Sequence, residues 1–286
     1  MFKRKKELYD EYNTYILNNL FPLPLEENEV PQGICEIAPF ILVSCYTTDE
    51  ENSRVLLLNK EGQREKVIYL NNRAHVGGIC YDNYHNIVFL CEEKGTVSCY
   101  PYSEFINSNL THKTTFPIAN TSLGGNSLIE DGRLVCSYLT YFENKLYVGS
   151  FNKKKNGIVK IYDIKREQNN ISLKYINEFM VPNKVQGLTF YKEHNNIYLF
   201  LSQSYGRKKD SQISAFKYDK NRFDYTNITY SFKTPPMLEQ ISLNKNNNLL
   251  LIFESSATKY KKTAKLVTED IVVIDTKNII SDFNDN

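Results

Sequence analysis

Residues 31–60 read PQGICEIAPFILVSCYTTDEENSRVLLLNK, in which three apolar runs are separated by a turn and by an acidic loop. Short runs rich in Ile, Val, Leu and Phe and bounded by turn residues are typical of β-strands. The second run changes abruptly from Phe40–Val43 to the polar pair Ser44 and Tyr46, on either side of Cys45. If this polar end belongs to a repeat, it marks one face of the molecule.

The same pattern recurs four times further along the chain. The copies are VGGICYDNYHNIVFLCEE (76–93), SYLTYFENKLYVGSF (137–151), VQGLTFYKEHNNIYLFLSQSY (185–205) and LEQISLNKNNNLLLIFESS (238–256). Aligned on Ile34, Ile79, Leu139, Leu188 and Ile241, they lie 45, 60, 49 and 53 residues apart. A third apolar run follows each copy, and a fourth follows the first four copies. Four antiparallel strands per repeat of this length predict the blades of a β-propeller.

The fifth copy has no fourth strand of its own, and an uncovered edge strand invites aggregation. Residues 12–24 precede the first inner strand as the other fourth strands precede theirs, so we expect them to close the ring. We therefore predict an all-β fold, a single five-bladed β-propeller of four-stranded antiparallel blades. A short helix is expected over residues 4–18, with Leu8, Tyr12, Tyr15 and Ile16 on one face.

The predicted organisation is one domain. Its parts are a helix and closing strand in 1–24 and blades at about 25–70, 71–118, 119–182, 183–236 and 237–286.

The segment HVGGICYD (75–82) and the phrase PQGI carry a resemblance to known proteins. The chain resembles bacterial β-propeller repeat proteins of the YncE, lactonase-like and NHL kinds, including uncharacterised five-bladed members. The resemblance covers all five repeats and implies the fold, but it brings no catalytic motif. The chain has no Trp and no GH and WD signature pair, which counts against the WD-repeat branch.

Composition limits the classes of partner. The formal net charge of the 286 residues is +2, so no global field favours nucleic acid or an acidic membrane surface. No run approaches a membrane span, and the N-terminus lacks the apolar core of a signal peptide. Six cysteines occur without a CxxC pair, so we expect reduced, buried thiols. These observations predict a cytoplasmic protein without cofactor, nucleic acid or membrane partner.

In a propeller, the starts of the inner strands and the ends of the second strands converge around the mouth of the central channel. The strand that contains Ser44 ends in polar residues because it emerges at this mouth. A funnel of converging polar groups is the default site for a ligand. Polar strand ends occur in every β protein, however. The second-strand ends are Ser44, Tyr46, Glu92, Glu93, Ser150, Asn152, Ser202, Gln203, Ser204, Glu254 and Ser255. The inner-strand starts are Gln32, His75, Ser137, Tyr138, Gln186, Glu239 and Gln240.

His75 is the sharpest candidate of this set, because Gly77 and Gly78 behind it allow close backbone approach. It is either an acid–base or binding group, with Glu239 or Glu254 as its partner, or a histidine that ties one blade to the next. No histidine metal cluster is expected. A hard-cation site made of glutamates has only a weak spacing signal, so we predict no metal.

The loops after the second strands suggest an uneven charge distribution over the same face. Blades 3 to 5 place Lys154, Lys208 and Lys262 in lysine-rich loops, whereas blades 1 and 2 have the acidic stretches 49–51 and 92–93. This asymmetry could orient an anionic ligand or a partner protein. The alternative is that the lysines only keep three long loops soluble.

Two functions compete. The first is a binding module for a small polar or anionic ligand or a partner protein, with Gln32, Ser44, Tyr46, Glu92, Tyr138, Ser150, Gln186, Ser202 and Gln240 as candidate ligand-binding residues. The second is a hydrolase, lyase or cyclotransferase that acts on a small polar substrate in the same funnel, with His75, Glu239 and Glu254 as its catalytic groups. The sequence does not decide whether the protein is an enzyme.

Overall fold

The structure is a computed structural model. It describes residues 9–49, 51–92, 95–108, 110, 113–117, 129–130, 133–134, 136–167, 170–219, 223–226 and 230–285.

Five four-stranded antiparallel sheets form the ring, and each of the first four is a meander of consecutive strands. Blade 1 contains β2 (Glu29–Ile37), β3 (Phe40–Thr47), β4 (Arg54–Leu58) and β5 (Arg64–Tyr69). Blade 2 contains β6 (Ile79–Asp82), β7 (Ile87–Cys91), β8 (Thr96–Pro101) and β9 (Thr114–Pro117). Blade 3 contains β12 (Tyr138–Phe142), β13 (Lys145–Gly149), β14 (Gly157–Glu167) and β15 (Asn170–Val181). Blade 4 contains β16 (Val185–Glu193), β17 (Asn196–Gln203), β18 (Ser211–Lys217) and β19 (Tyr230–Thr234).

Blade 5 is completed by the N-terminal part of the chain. It consists of β20 (Leu238–Leu243), β21 (Leu249–Phe253), β22 (Asp270–Ile274) and, outermost, β1 (Ile16–Pro22). β1 pairs antiparallel with β22, with Ile16 opposite Ile274. The predicted ring closure is therefore confirmed.

The core lies between neighbouring blades rather than within them. The five anchor residues of the repeat, from Ile34 to Ile241, are completely buried. A separate apolar cluster fills the space between each blade and the next, including the closing pair of blades 5 and 1. Each fully buried aliphatic side chain stabilises the fold by about 1.5–3 kcal/mol, so the ring of interfaces is the main source of stability.

Several short elements lie outside the five sheets. They are the helices α1 (Asp10–Tyr15), α2 (Tyr102–Ile106), α3 (Thr258–Lys261) and α4 (Thr276–Asp285), a 3-10 turn at Glu254–Ser256, and the hairpin β10 (Ile129–Glu130) and β11 (Arg133–Leu134).

The helix α1 is shorter than the predicted 4–18. Tyr12 and Tyr15 are buried as expected, but Ile16 already begins β1, because pairing with β22 extends the backbone there. Leu8 lies outside the described residues. The helix α4 was not predicted; it buries Ile279 and Phe283 against blade 4 and lies next to α1.

Two further expectations concern the whole chain. Within the described ranges, no helix has the length and apolar character that a bilayer crossing requires. All six cysteines are buried, and none is in a disulfide bond.

Candidate functional site: a funnel at the channel mouth

A funnel of about 510 Å³ opens at the end of the ring where the inner strands begin. All five blades or their loops contribute to its wall. The lining residues are Gln32, His75, Gly77, Cys136, Ser137, Phe151, Gln186, Ser204, Tyr205, Gly206, Arg207, Met237, Glu239, Glu254 and Tyr260. Of the strand-end residues that were expected to converge at the channel mouth, seven lie in this wall: Gln32, His75, Ser137, Gln186, Ser204, Glu239 and Glu254.

Two carboxyl groups from blade 5 face two amides from other blades. Glu239 stands on β20 and Glu254 follows β21, and the facing pair Leu238 and Phe253 holds these strand ends together. Gln186 Nε2 donates to Glu239 Oε1 at 3.2 Å, and Gln32 Nε2 donates to Glu254 Oε1 at 3.1 Å. Glu239 and Gln32 are buried, whereas Glu254 is half-buried. Each carboxyl therefore keeps oxygen lone pairs beyond these contacts.

Burial sets the proton affinity of these acids. Desolvation raises the pKa of Glu239 well above its usual range, and the charge of Glu254 raises it further. Desolvation also raises the pKa of Glu254, while hydrogen bonds from Gln32 and Tyr46 and the ammonium of Lys259 oppose the rise. Two carboxyls that interact in this way titrate as a pair, and each is protonated more readily than a carboxyl in water. When one of them is protonated, the pair can donate one hydrogen bond as well as accept several.

His75 lies in the funnel wall, where its ring is stacked on a tyrosine ring. Its ring lies 4.5 Å from the ring of Tyr46, and Tyr46 donates to Glu254 Oε1 at 3.3 Å. The Tyr46 and Tyr260 hydroxyls are 2.9 Å apart, and Lys259 Nζ donates to the Tyr46 oxygen at 3.2 Å. These contacts fix the Tyr46 ring, which in turn positions the imidazole.

The imidazole is exposed to the open space of the funnel, and the funnel walls surround it. This desolvation, together with the nearby Lys259 ammonium, lowers the pKa of His75 from 6.5 to about 4. The ring is therefore neutral at pH 7, with one nitrogen as donor and the other as acceptor. The pKa of His75 is thus further from pH 7 than the unperturbed value assumed from the sequence, which makes the ring less suited to acid–base chemistry at neutral pH.

The upper wall is built from aromatic rings that carry cations. The Arg207 guanidinium lies 4.8 Å from the centroid of the Tyr260 ring, and Lys153 Nζ lies 4.4 Å from that of Tyr205. Tyr205 is stacked with Phe151 at 6.3 Å between centroids. Stacking of this kind holds a positive charge at the rim while the ring remains available to a ligand.

The lysine-rich loops share this face. The loop after β13 contributes Phe151, the loop after β17 contributes Tyr205 and Arg207, and the segment after β21 contributes Tyr260. The last two are joined by a hydrogen bond from Lys265 N to Arg207 O at 2.9 Å. Lys154, Lys208 and Lys262 are exposed on these loops.

Several predicted residues lie behind the wall instead of in it. Ser44 and Ser202 are buried, and their hydroxyls donate to backbone oxygens of Val76 and Glu239 at 2.8 Å. Tyr138 is completely buried, and its hydroxyl has no hydrogen-bond partner within the described part of the chain. These side chains support neighbouring blades. Ser150, which directly follows β13, is buried and does not line the funnel.

Gln240 lies deeper, on the axis, and separates the funnel from a cavity of about 590 Å³ on the opposite face. Its Oε1 accepts from Ile34 N at 3.1 Å and Ile79 N at 3.0 Å, and its Nε2 donates to Ile79 O and Leu139 O. The amide is thus saturated by three blades. In the opposite cavity, Lys192 and Glu143 pair with each other at 2.7 Å.

Two carboxylates of the predicted acidic side, Glu51 and Glu92, are paired with cationic side chains. Glu92 accepts hydrogen bonds from Asn72, Tyr100 and Lys113, away from the funnel. Glu51 pairs with the buried Arg54. Glu50 and Glu93 lie outside the described residues. Among the side chains that the structure describes, no three His, Cys, Asp or Glu residues are grouped as a metal site requires.

The sequence patterns missed part of the upper wall. The basic-loop pattern already places Arg207 on this face. Lys259 and Tyr260 lie on the short helix α3, where strand periodicity gives no signal, and Met237 and Phe151 are apolar residues beside strand ends. An aromatic residue next to a basic run, as in SYGRKK and TKYKK, is the one signal that could have identified them.

Comparisons with known proteins give only weak structural likenesses. No family model matches the sequence, and no curated protein does. Among solved structures, the chain is similar to one in a nidogen/laminin complex, with 11% identity, a TM-score of 0.47, and coverage of 79% of this chain and 73% of that one. It is also similar to the WD40 repeats of RRP9, with 8% identity, a TM-score of 0.47, and coverage of 91% and 98%. For the WD40 domain of Toxoplasma gondii coronin the identity is 7%, the TM-score 0.41, and the coverage 86% and 55%.

Nothing about a ligand or partner follows from likenesses of this strength. The five-bladed propeller fold is shown by the chain's own sheets, and the narrower resemblance to the YncE, lactonase-like and NHL kinds stays a prediction.

Proposed function

We propose that this protein is a binding propeller that holds a small polar ligand in the funnel, with the lysine-rich loops guiding its approach. The observation that carries the proposal is the carboxyl pair of Glu239, which is buried, and Glu254, which is half-buried, in a solvent-connected wall that amides from two other blades face. Two like-charged groups taken out of water lower the stability of the fold. Their position in an open cavity favours a role in recognition.

The chemistry of the wall defines the ligand class. The floor offers two carboxyls with raised pKa values, two carboxamides and a neutral imidazole, which together suit hydroxyl, amide or amine groups. The tyrosine and phenylalanine rings offer apolar faces, and Arg207 adds a positive charge at the rim. A small molecule with several hydrogen-bonding groups and, at one end, an anionic substituent matches this arrangement. A protein partner would dock on the same face through the loops.

Catalysis is the second candidate, and one observation favours it. A pair of carboxyls whose pKa values are raised can act as an acid and a base on the same substrate when one of them is protonated. A hydrolase, lyase or cyclotransferase acting on a polar substrate would use this pair first. The neutral His75 would then position the substrate by hydrogen bonding.

The test is a thermal-shift screen with sugars, amino acids, polyamines and organic acids, followed by calorimetry of the hits at pH 7. We expect Glu239→Gln and Gln186→Leu to weaken a hit at least tenfold. Gln212→Leu, which removes a half-buried amide of blade 4 outside the funnel, serves as the matched control. Hits that bind all three variants as tightly as the wild type would contradict a funnel site.

The catalytic alternative is separated by product analysis of the same hits. If the funnel is catalytic, Glu254→Gln abolishes turnover while binding remains measurable. If the protein is a binding module, no product forms with the wild type after prolonged incubation.

A further inference from the structure

Two cysteines that are 45 residues apart in sequence meet beside the funnel. The Sγ atoms of Cys91 and Cys136 are 2.7 Å apart, closer than two non-bonded sulfur atoms normally pack. A disulfide bond is about 2.05 Å long, so a small movement would join them. The other four cysteines are distributed over blades 1 and 2 and contribute to apolar clusters.

The backbone holds both cysteines in place. Cys91 ends β7, and its N–H donates to Gly78 O at 2.9 Å. Cys136 precedes Ser137, whose carbonyl oxygen would lie only 2.2 Å from a Cβ added at Gly77. This close approach of blades 2 and 3 requires glycine, and it brings the two sulfurs together.

The two thiols differ in their access to solvent. Cys136 is 7% exposed and forms part of the funnel wall, whereas Cys91 is 1% exposed and lies behind it. A small reagent in the funnel can therefore reach Cys136 first. Burial raises the pKa of the Cys91 thiol well above its usual range, and its hydrogen bond to Cys136 raises it further.

We propose that Cys91 and Cys136 form a redox-active pair, with Cys136 as the attacking thiol and Cys91 as the resolving thiol toward small disulfide compounds. The Cys136 thiolate attacks one sulfur of the compound, whose S–S bond breaks and releases one thiol. Cys91 then loses its proton and attacks Cys136 Sγ, which releases the second thiol. The protein loses two hydrogen atoms and gains one disulfide, and the compound is reduced to two thiols.

The crosslink would join blades 2 and 3 at the funnel wall. It would close a loop of about 45 residues in the unfolded chain, which on the loop-entropy model raises the Tm by roughly 5–10 °C. A reagent that reduces the bond would reverse the shift.

The experiment treats the native protein with 2-hydroxyethyl disulfide, a small neutral reagent. We expect the intact mass to fall by two hydrogen atoms, two of the six thiols to be lost, and the Tm to rise. In Cys91→Ser, the mixed disulfide at Cys136 should accumulate, because no resolving thiol is present. Cys136→Ser should not react, whereas Cys99→Ser serves as the control that reacts like the wild type.

The linkage itself is mapped in the wild type, which keeps the test independent of how the variants fold. Trypsin leaves Cys80 and Cys91 in one peptide, 74–94, so chymotrypsin is needed to cut between them. A Cys91–Cys136 linkage supports the pair. A Cys80–Cys136 linkage, a stable adduct on the wild type, or six unchanged thiols in protein whose unfolded form reacts would each overturn it.

Discussion

The side-chain amide of Gln240 forms a two-way hydrogen-bonded pair with the backbone of Ile79, 161 residues away in sequence. Gln240 Oε1 accepts from Ile79 N at 3.0 Å, and Gln240 Nε2 donates to Ile79 O at 2.8 Å. The same oxygen also accepts from Ile34 N, and the same nitrogen donates to Leu139 O. One buried side chain of blade 5 thus binds the inner strands of blades 1, 2 and 3. An amide is suited to this position because it has both donors and acceptors.

The first prediction follows from this pairing. Gln240→Leu keeps a similar volume but leaves the N–H groups of Ile34 and Ile79 without their partner, so we expect a loss of about 2–4 kcal/mol in the free energy of unfolding. Urea denaturation measures it. Gln212→Leu, on the outer part of blade 4, should change stability by less than about 1 kcal/mol. Equal effects of the two substitutions would show that the axial amide has no special role.

The second prediction concerns the pH dependence of stability. Because the pKa of Glu239 is raised in the folded protein, the folded state holds a proton that the unfolded chain releases above about pH 4.3. Stability should therefore fall as the pH rises from that value through the folded pKa. Glu239→Gln removes this dependence and can still accept from Gln186. We expect it to stabilise the protein at pH 8 by on the order of 1 kcal/mol.

Urea melts at pH 5, 6.5 and 8 measure this difference. Glu178→Gln is the matched control, because Glu178 pairs with the buried Lys160 at 3.5 Å and its loss should destabilise the protein. If Glu239→Gln is destabilising at pH 8, the carboxyl is a structural group.

The third prediction concerns His75. Lys259 Nζ lies 5.1 Å from the centroid of the Tyr46 ring, on which His75 is stacked, and its charge contributes to the low pKa of His75 of about 4. Lys259→Gln should raise the pKa of His75, although desolvation will keep it below 6.5. NMR titration of the histidine ring protons measures it, with His75→Gln to assign the signal.

Lys277→Gln, on α4, removes a distant exposed ammonium and should leave the His75 titration unchanged. A wild-type His75 that titrates near 6.5 would show that water fills the funnel around the ring.

The fold could be predicted because its signal is repeated. Alignment on Ile34, Ile79, Leu139, Leu188 and Ile241 gave five inner strands, and all five anchors are completely buried. Ring closure followed from the missing outer strand. The helix α4 could not be derived in this way, because one apolar face on ten residues has no repeat to support it.

The site could be predicted only in part. Convergence of strand ends brought Gln32, His75 and Glu254 to one wall, but a polar residue at a strand end does not reveal which way its side chain points. Ser44 and Ser202 point between blades, where their hydroxyls bond to backbone oxygens. The cations of the upper wall come from irregular loops, whose course depends on contacts between blades. The function of each residue in the wall stays a prediction.

The fourth prediction tests ring closure. Removal of residues 1–24 deletes β1 and leaves β22 as an open edge, so we expect oligomers or aggregates by light scattering. Removal of residues 1–8 keeps α1 and β1 and should leave a monodisperse protein. A soluble and cooperatively unfolding 25–286 fragment would contradict the importance of the closing strand.

The last prediction separates recognition from solubility in the lysine-rich loops. Lys154, Lys208 and Lys262 are exposed on the loops that also contribute Phe151, Arg207 and Tyr260 to the funnel wall. If they guide an anionic ligand, reversal of all three lysines to Glu should lower the salt concentration that elutes the protein from immobilised heparin. The Tm should change little, because exposed charges contribute at most about 1 kcal/mol. The matched control reverses Lys60, Lys174 and Lys277, which are exposed in the turn after β4, on β15 and on α4, and so changes the net charge equally. Since both triple variants carry the same net charge, a larger effect of the loop variant can arise only from the position of its lysines around the funnel, whereas equal elution would show that the loop lysines act only through net charge.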